Sequence, residues 1–419
     1  MSSDAPKRLG RYVLFQRLAR GGMAELHLAS MTGADGFARV VVVKRMLPHL
    51  AEDPEFARML LNEAKLAAQL HHPNIVQILD LGHEAGEHFI VMEYIHGADF
   101  RTVLRESARR RRLPMSCAIA VVLAVASGLD HAHEARDNSG RPLNVIHRDV
   151  NPANVLVGHD GGVKVVDFGI AKALAHTQMT RTGTIKGKMG YMAPEQCRGD
   201  PVDRRADVFA LGVLLYEASL GRRMFIGDNQ FAIMNAVLSG DYQRPIDADP
   251  TYPPELAAVI ERALQPEAHD RYPTAAAFAA DVEAAAAACG CPASLTALQH
   301  HVDALFGERA YPSVPEVAPA ETFTQVVVPP PATRSATRPW ALAGAVGIGL
   351  VLGVGVMGGA RLTEPAVPDT TPAVGRPAPP EAKPSARPGA DVVEPPPEQA
   401  SPRPRAASER TEEVAPPST

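Results

Sequence analysis

The stretch VIHRDVNPANVLV, residues 145–157, places a histidine, an arginine, an aspartate and an asparagine between two apolar runs. The carboxylate of Asp149 can accept a proton from an incoming hydroxyl group, as a general base does. Asn154 offers an amide oxygen, and Asp167 offers a second carboxylate at the end of the apolar run VKVV. Such oxygen ligands suit Mg²⁺, which takes few protein ligands and completes its shell with phosphate and water. Asn154 and Asp167 are therefore the predicted metal ligands, and Asp149 is the predicted base.

A second group of chemically useful residues lies closer to the N-terminus. The run RLARGGMAEL, residues 17–26, is typical of a tight turn between two strands. Gly21 and Gly22 would let the backbone approach a phosphate with its amide groups, although a plain hairpin fits the same run. Lys44 follows four valines on a predicted inner strand, so its ammonium needs a partner. Glu63, in the middle of the next predicted helix, is placed to supply it.

The elements that must position these residues change character along the chain. Alternating β-branched and apolar residues between glycine-bearing turns predict strands at 12–18, 25–31, 39–46, 75–82 and 88–94, and helical periodicity predicts a helix at 53–70. Beyond about residue 100 helices dominate, with short strands expected around Val145 and Val163. The prediction is an α+β fold with a small β-rich lobe, a larger α-helical lobe and a ligand cleft between them.

Composition divides the chain into five regions. The globular part is predicted at 12–280, and an Ala-rich helical extension follows at 281–310. Prolines accumulate over 311–339, which is typical of a linker. The tail, 361–419, contains 15 prolines and no aromatic residue. A segment of that composition buries too little apolar surface to offset chain entropy, so we expect it to be disordered.

Residues 340–360, between the linker and the tail, carry no charge. As a helix these residues would be about 30 Å long, which matches the thickness of a bilayer core, so we expect one transmembrane helix there. The alternative, a buried core helix, fits poorly with seven glycines and no polar face. Gly349 and Gly353 have a spacing that lets helices touch, which is a weak indication of a homodimer.

Charge and cysteine content exclude several classes of protein. The formal net charge is −5, which is too mild to indicate a nucleic-acid partner. The four cysteines are too few and too scattered for a disulfide framework, which suits a reducing cytosol. Cys289 and Cys291 lie just before His300 and His301, but a Cys-x-Cys pair matches a tetrahedral metal site poorly.

The motifs occur in a fixed order, which is a Gly-rich loop, Lys44, Glu63, H-R-D-x-x-x-x-N, D-F-G and A-P-E. This order resembles that of the protein kinases. Over residues 12–280 the chain resembles a eukaryotic-like serine/threonine kinase, and GGMAELHLA and HRDVNPANVLV are similar to the motifs of myxobacterial kinases. The resemblance implies a two-lobed kinase that transfers the ATP γ-phosphate to protein substrates. It also implies a membrane-anchored bacterial protein, with its kinase domain in the cytoplasm and its tail outside the cytoplasmic membrane.

The resemblance further assigns roles to residues of the nucleotide site. Lys44 would hold the α- and β-phosphates and pair with Glu63. Asp99 would lie near the ribose. The remaining ATP contacts would be a lid over the phosphates, formed by Leu18, Ala19, Arg20, Gly21, Gly22, Met23, Ala24, Glu25 and Leu26, and an adenine wall, formed by Met92, Glu93 and Ile95.

Other matched positions would hold or regulate the site. Glu195 would form a buried ion pair with Arg271, and Asp207 would brace the backbone of the catalytic loop. Arg148 needs an anion to offset its charge, and a phosphate on Thr180 or Thr182 would supply one. Loop autophosphorylation is therefore the expected mode of activation.

The chain also departs from the kinase pattern. Alanine replaces glycine at positions 19 and 24, and Val42 stands where a smaller alanine usually lies above the adenine. Asn151 stands where serine/threonine kinases usually have a lysine, and Lys188 takes the place of a threonine. We expect a swap in which Lys188 supplies the missing ammonium and the Asn151 side-chain carbonyl holds it. The alternative to an active enzyme is a pseudokinase that signals by contact, although all five central catalytic positions keep their residues.

Overall fold

The computed structural model describes residues 7–22, 24–33, 37–47, 54–84, 86–168 and 188–314, without the side chains of 54–57, 59, 60 and 63. All of these residues belong to the first of two units into which the chain divides, Met1–Val327. The predicted transmembrane helix at 340–360 and the predicted tail lie outside the described residues, as do Thr180 and Thr182.

The N-terminal lobe is built on an antiparallel sheet with the strand order β1-β2-β3-β4-β6-β5. A helix, α1 (Pro54–Ala67), lies in the connection between β4 and β5 and contacts β5. The strands are β1 (Lys7–Leu9), β2 (Tyr12–Arg20), β3 (Ala24–Thr32), β4 (Ala38–Met46), β5 (Ile78–Glu84) and β6 (Glu87–Glu93).

The valine run of β4, a strand that lies between β3 and β6, is buried on both faces of the sheet because apolar side chains cover each face. Side chains alternate along a strand, so the run divides between two apolar clusters. Val41 and Val43 pack with Leu9, Tyr12 and Phe89 on one face, whereas Val40 and Val42 pack with Leu28 on the other. The lysine that follows, Lys44, is opposite Ile90 of β6.

The C-terminal lobe begins with a small antiparallel sheet of order β7-β8-β9 and continues as helices. A Cβ at Gly97 would lie 2.0 Å from the Val157 carbonyl oxygen, so only glycine lets β7 approach β8 this closely. The strands are β7 (Gly97–Asp99), β8 (Val155–Gly158) and β9 (Val163–Val165). The helices are α2 (Phe100–Arg110), α3 (Met115–His133), α4 (Pro194–Arg198), α5 (Arg205–Leu220), α6 (Gln230–Ser239), α7 (Pro245–Ala248), α8 (Pro254–Ala263), α9 (Ala275–Ala288) and α10 (Leu295–Phe306).

Two apolar helices, α3 and α5, form the centre of this lobe. Residues 206–219 of α5 are all buried, and α3 packs between α5 and α9. Among the described residues, α3 is the one helix long and apolar enough to cross a membrane. Most of α3 is buried inside the lobe, so its composition reflects its place in the core.

The predicted strand around Val145 is wrong. Residues 143–150 form no strand, and the strand that was expected there lies at Val155–Gly158. The reason is that the His147 and Arg148 amides donate to the Asp207 carboxylate instead of to a neighbouring strand. Arg148 also has a φ of 62°, which no regular strand accommodates.

A buried ion pair fixes the start of α4 to the rest of the lobe. The Arg271 guanidinium donates to both carboxylate oxygens of Glu195, at 2.7 and 2.8 Å, and its side chain is fully buried. It also donates to the carbonyl oxygens of Gln265, Pro266 and Arg205. Every N–H group of the Arg271 guanidinium therefore donates to a group of the C-terminal lobe.

We expect Arg271→Ala to lower the free energy of unfolding by about 3–5 kcal/mol, because it leaves the Glu195 carboxylate unpaired in the interior. Arg244 is a matched control, since it makes the same two-pronged contact with Glu261 at 2.9 and 3.2 Å on the surface. Arg244→Ala should leave the free energy of unfolding nearly unchanged, because solvent screens this exposed pair. Urea unfolding of the two variants measures the difference, and equal losses would contradict the role given to burial.

Candidate active site

One buried carboxylate fixes the backbone of the catalytic loop. Asp207, in the first turn of α5, accepts the backbone N–H groups of His147 and Arg148, each at 2.8 Å. The His133 ring, at the end of α3, lies 2.8 Å from the same carboxylate. Burial alone would raise the pKa of Asp207, but the hydrogen bond and charge of His133 and the contacts of His147 lower it. The ionised carboxylate thus stabilises the Arg148 backbone at positive φ.

Side-chain donors surround the Asp149 carboxylate. The Asn151 amide nitrogen lies 3.1 Å from Oδ1, and the Asn154 amide nitrogen lies 2.8 Å from Oδ2. Lys188 Nζ lies 2.9 Å from Oδ2, so the lysine that follows the undescribed residues 169–187 reaches this carboxylate. The Asp149 side chain is largely buried, and these donors fix its orientation.

The expected hydrogen bond between Lys188 and the Asn151 side-chain carbonyl is replaced by other contacts. That oxygen accepts the Ala153 N–H at 3.0 Å and begins the short 3-10 turn Pro152–Asn154. The Asn151 amide nitrogen donates to the Asp149 backbone oxygen and to its carboxylate. Asn151 therefore orients Asp149 directly, and Lys188 contacts the aspartate itself.

Asn154 connects the predicted base with the predicted metal ligands. Its amide nitrogen donates to Asp149, which leaves its amide oxygen as the atom available to a cation. Its backbone oxygen accepts the Val166 N–H at 3.0 Å, immediately before Asp167. One amide oxygen and one half-exposed carboxylate match the ligand preference of a hard cation such as Mg²⁺.

Lys44 lies on the opposite side of the cleft from the catalytic loop. Its Nζ donates to Asp167 Oδ1 at 2.6 Å, so the ammonium contacts one of the two predicted metal ligands. Glu63, the expected partner, lies on α1, but its side chain is outside the described residues. Asp167 has a φ of 58°, which turns the chain sharply after β9.

The β2–β3 hairpin that would cover the nucleotide is closed by a hydrogen bond from the Gly21 N–H to the Ala24 oxygen, at 2.8 Å. Neither Ala19 nor Ala24 has a positive φ, so the two replacements of glycine carry no backbone strain. Leu18 is exposed, Gly22 and Leu26 belong to the described hairpin, and Met23 lies outside the described residues.

Glu25 brings an acid into this hairpin and is neutralised there. Its carboxylate accepts from Arg45 at 3.0 Å and lies 3.5 Å from Arg20. Burial would raise the pKa of Glu25, but the His27 hydrogen bond and the charges of Arg45 and Arg20 lower it. The ionised side chain thus ties β3 to β4, and the arginines around it, Arg17, Arg20 and Arg45, outnumber the acid.

The hinge between the lobes begins at the end of β6. Met92 lies opposite Val42 in the sheet, and the Glu93 carboxylate accepts from Lys164 Nζ and from the Gln77 N–H, both at 2.8 Å. Ile95 is half-buried after β6. These contacts fix the position of the hinge backbone relative to β9, the strand that carries Lys164.

Asp99, the residue expected near the ribose, has a structural partner. It precedes α2 and accepts from the Thr102 N–H at 2.8 Å and from the Thr102 hydroxyl at 3.1 Å. This is an ordinary N-terminal cap, and it fixes the start of α2 beside the hinge.

The residues of this site lie within a region that matches a known protein family. A family model described as the protein kinase domain matches residues 12–282 of the chain. The chain belongs to the protein kinase family. This kinase is 52% identical over 275 residues to the tyrosine-protein kinase MasK of Myxococcus xanthus, covering 65% of this chain and 43% of MasK.

Two further relatives carry a serine/threonine name. Over 66% of this chain, the serine/threonine-protein kinase PknB of Mycobacterium leprae is 38% identical and PrkC of Bacillus subtilis is 34% identical. The kinase therefore has the sequence of a bacterial eukaryotic-like protein kinase, and it spans about two fifths of the length of MasK, PknB and PrkC, or 43%, 43% and 40%.

A solved structure agrees with the fold. The PknI kinase domain of Mycobacterium tuberculosis is 28% identical, with a TM-score of 0.51, and it covers 68% of this chain and all of that domain. The predicted protein kinase fold, with a β-rich N-terminal lobe and a helical C-terminal lobe, is thus confirmed.

Sequence reasoning missed three residues that hold the kinase site. His133 contacts Asp207, Gln196 donates to the Arg148 backbone oxygen at 3.0 Å, and Lys164 pairs with Glu93. Each lies more than 40 positions from its partner and belongs to no short motif, so local spacing gives no signal for it.

Proposed function

We propose that the chain is an active, ATP-dependent serine/threonine kinase that acts on protein substrates. The observation that carries the proposal is the linked set of Asp149, Asn154, Asp167 and Lys44, which joins base, metal ligands and phosphate-binding ammonium. A pseudokinase would retain the fold while lacking such a set.

In the proposed reaction, Asp149 accepts the proton of the substrate hydroxyl, and Asn151 and Asn154 keep its carboxylate oriented. Lys44 binds the α- and β-phosphates of ATP, and Glu63 is its proposed second partner. Asn154 and Asp167 would hold Mg²⁺, which supplies positive charge to the transferring phosphate. The hairpin 18–26 would exclude water above the phosphates, and Met92, Glu93 and Ile95 would form the adenine wall.

Tyrosine phosphorylation is the second candidate function. It is favoured by the name of MasK and by the loss of lysine at Asn151, where serine/threonine kinases usually keep one. The names of PknB and PrkC support the serine/threonine assignment.

Activity and hydroxyl type can be measured together. We expect the detergent-solubilised full-length chain, given labelled ATP and Mg²⁺, to transfer phosphate to itself, with phosphothreonine as the main product. Asp149→Asn should abolish transfer because it removes the proton acceptor.

We propose that Thr180 or Thr182 receives the phosphate and pairs with Arg148, so Thr180→Ala/Thr182→Ala should lose most of the label. Labelled tyrosine alone would favour the second candidate, and no transfer would favour a pseudokinase.

A lysine swap would explain how the site works without a lysine at position 151. Lys188 Nζ lies 2.9 Å from the Asp149 carboxylate. From there it can bring an ammonium group to the phosphate that approaches this carboxylate. Asn151 contacts the other oxygen of Asp149, so a lysine placed at position 151 would reach the same carboxylate.

We expect Lys188→Thr to lower the rate of phosphate transfer at least tenfold, or about 1.4 kcal/mol. Adding Asn151→Lys should restore a substantial part of the rate, because the ammonium returns from the other side. Lys7→Thr, on the exposed edge of the N-terminal lobe, makes the same change as a control and should leave the rate unaltered. Strictly additive effects in this double-mutant cycle would refute the coupling.

We also propose that residues 340–360 anchor the kinase in the cytoplasmic membrane, with residues 1–339 in the cytoplasm, where ATP is present. A reporter enzyme that works outside the cytoplasm should therefore be active when fused after Thr419. A cytoplasmic reporter at the same position should be silent, and the reverse result would place the tail inside.

A further inference from the structure

The chain returns to the hinge after the last helix of the C-terminal lobe. Helix α10 is anchored to α2 by the buried pair Ser107 Oγ and His301 Nε2, at 2.8 Å, and by Arg110, which donates to the Leu305 oxygen at 2.6 Å. Residues 307–314 follow α10 and contain no helix or strand. We call residues 307–314 the strap.

Aromatic contacts hold the strap against the hinge. The Tyr311 ring centroid lies 5.5 Å from that of Tyr94 and 5.4 Å from that of His96, both in edge-to-face geometry. Such pairs contribute on the order of 1 kcal/mol beyond the area they bury. Burial, together with the charges of His159 and Arg309, lowers the pKa of His96, so its ring is predominantly neutral where it packs against Tyr311.

His96, the hinge residue that contacts the strap, is also connected to the C-terminal lobe. The His159 ring lies 4.8 Å from the His96 ring, and the His159 N–H donates to the His96 oxygen at 2.9 Å. The other side of the His159 ring lies 3.4 Å from Asp303 of α10. The strap thus continues a chain of contacts that runs from α10 through His159 to the hinge.

Beyond the hinge the strap contacts the N-terminal lobe. Val314 packs against the apolar cluster of Leu28, Val40 and Val42, which Met92 and Tyr94 also join. Val42 and Met92 are the residues assigned to the adenine site. The strap therefore contacts both lobes and the wall of the nucleotide cleft, in parallel with the hinge peptide itself.

We propose that the strap is a positioning element for ATP, in which Tyr311 and Val314 hold the hinge and the β-sheet wall at the spacing that the nucleotide needs. The inference rests on the proposed function, because it takes ATP as the ligand of the cleft. A second link between the lobes limits how far they separate around the hinge, so less ordering remains to be done when nucleotide binds. The strap then contributes to nucleotide affinity and not to the transfer step.

The test compares full-length variants Val314→Asp and Tyr311→Ala with Leu295→Ala. Leu295 is a matched control, because it is an exposed apolar side chain at the start of α10, on the same C-terminal extension. We expect both strap variants to raise the KM for ATP about threefold or more while kcat stays within about twofold, and Leu295→Ala to change neither. Tyr311→Phe keeps the ring and should behave as the unmodified chain.

Nucleotide binding separates failure of the strap from failure of the proposed function. Both proteins in this test carry Asp149→Asn. A fluorescent ATP analogue should have a lower dissociation constant for the protein that keeps Val314 than for the protein that also carries Val314→Asp. Equal dissociation constants, or tighter binding by Val314→Asp, would overturn the strap alone. An Asp149→Asn chain that binds no nucleotide, while remaining folded by circular dichroism, would overturn both.

Discussion

One buried carboxylate sets the position of everything in the catalytic loop. Asp207 accepts two consecutive backbone N–H groups, and Arg148, the second of these residues, adopts a left-handed conformation. A non-glycine residue in that conformation costs about 1–3 kcal/mol, which the surrounding structure must offset. The offset comes from α5, whose buried surface lies at the centre of the lobe. The geometry of the active site therefore depends on the packing of a helix that contributes no group to the chemistry.

The sharp turn at Arg148 also explains how Asp149 meets its donors. Once the backbone has turned, the next residues form the short helix Pro152–Asn154, and the asparagines at both of its ends face back toward the Asp149 side chain. The backbone of the second asparagine then receives the Val166 amide, which aligns β9 and places Asp167. A series of hydrogen bonds therefore connects Asp207, through the catalytic loop and Asn154, to Val166 and so fixes the position of Asp167.

The sequence predicted much of this because the signals involved are local. The valine run of β4 and the alternation along β2, β3 and β6 predicted the N-terminal lobe, and the order of the motifs predicted the kinase fold. The strand expected around Val145 failed because its amide groups bond to a residue 60 positions away. The partner of Asn151 was mistaken for a similar reason. An amide side chain has both donor and acceptor atoms, and only the fold decides which atoms meet Asp149 and which meet Ala153.

The contact between Lys188 and Asp149 sets a condition on any reaction at this site. An ammonium group carries three donors on a flexible stem, so it can keep one contact to the carboxylate while it directs another toward a phosphate oxygen. The Asn151 amide is neutral and already shared between Asp149 and Ala153, so it cannot supply the positive charge that phosphoryl transfer requires. Next to Asp149 it is Lys188 that brings an ammonium group, in addition to Lys44 and the proposed Mg²⁺ on the other side of the site. Because the loop that ends at Lys188 carries the proposed phosphorylation sites, its arrangement would control both this charge and the access of the substrate. A kinase with its lysine at position 151 has that charge on the catalytic loop itself, whereas under the proposed swap this chain would supply it from the segment that leads into α4.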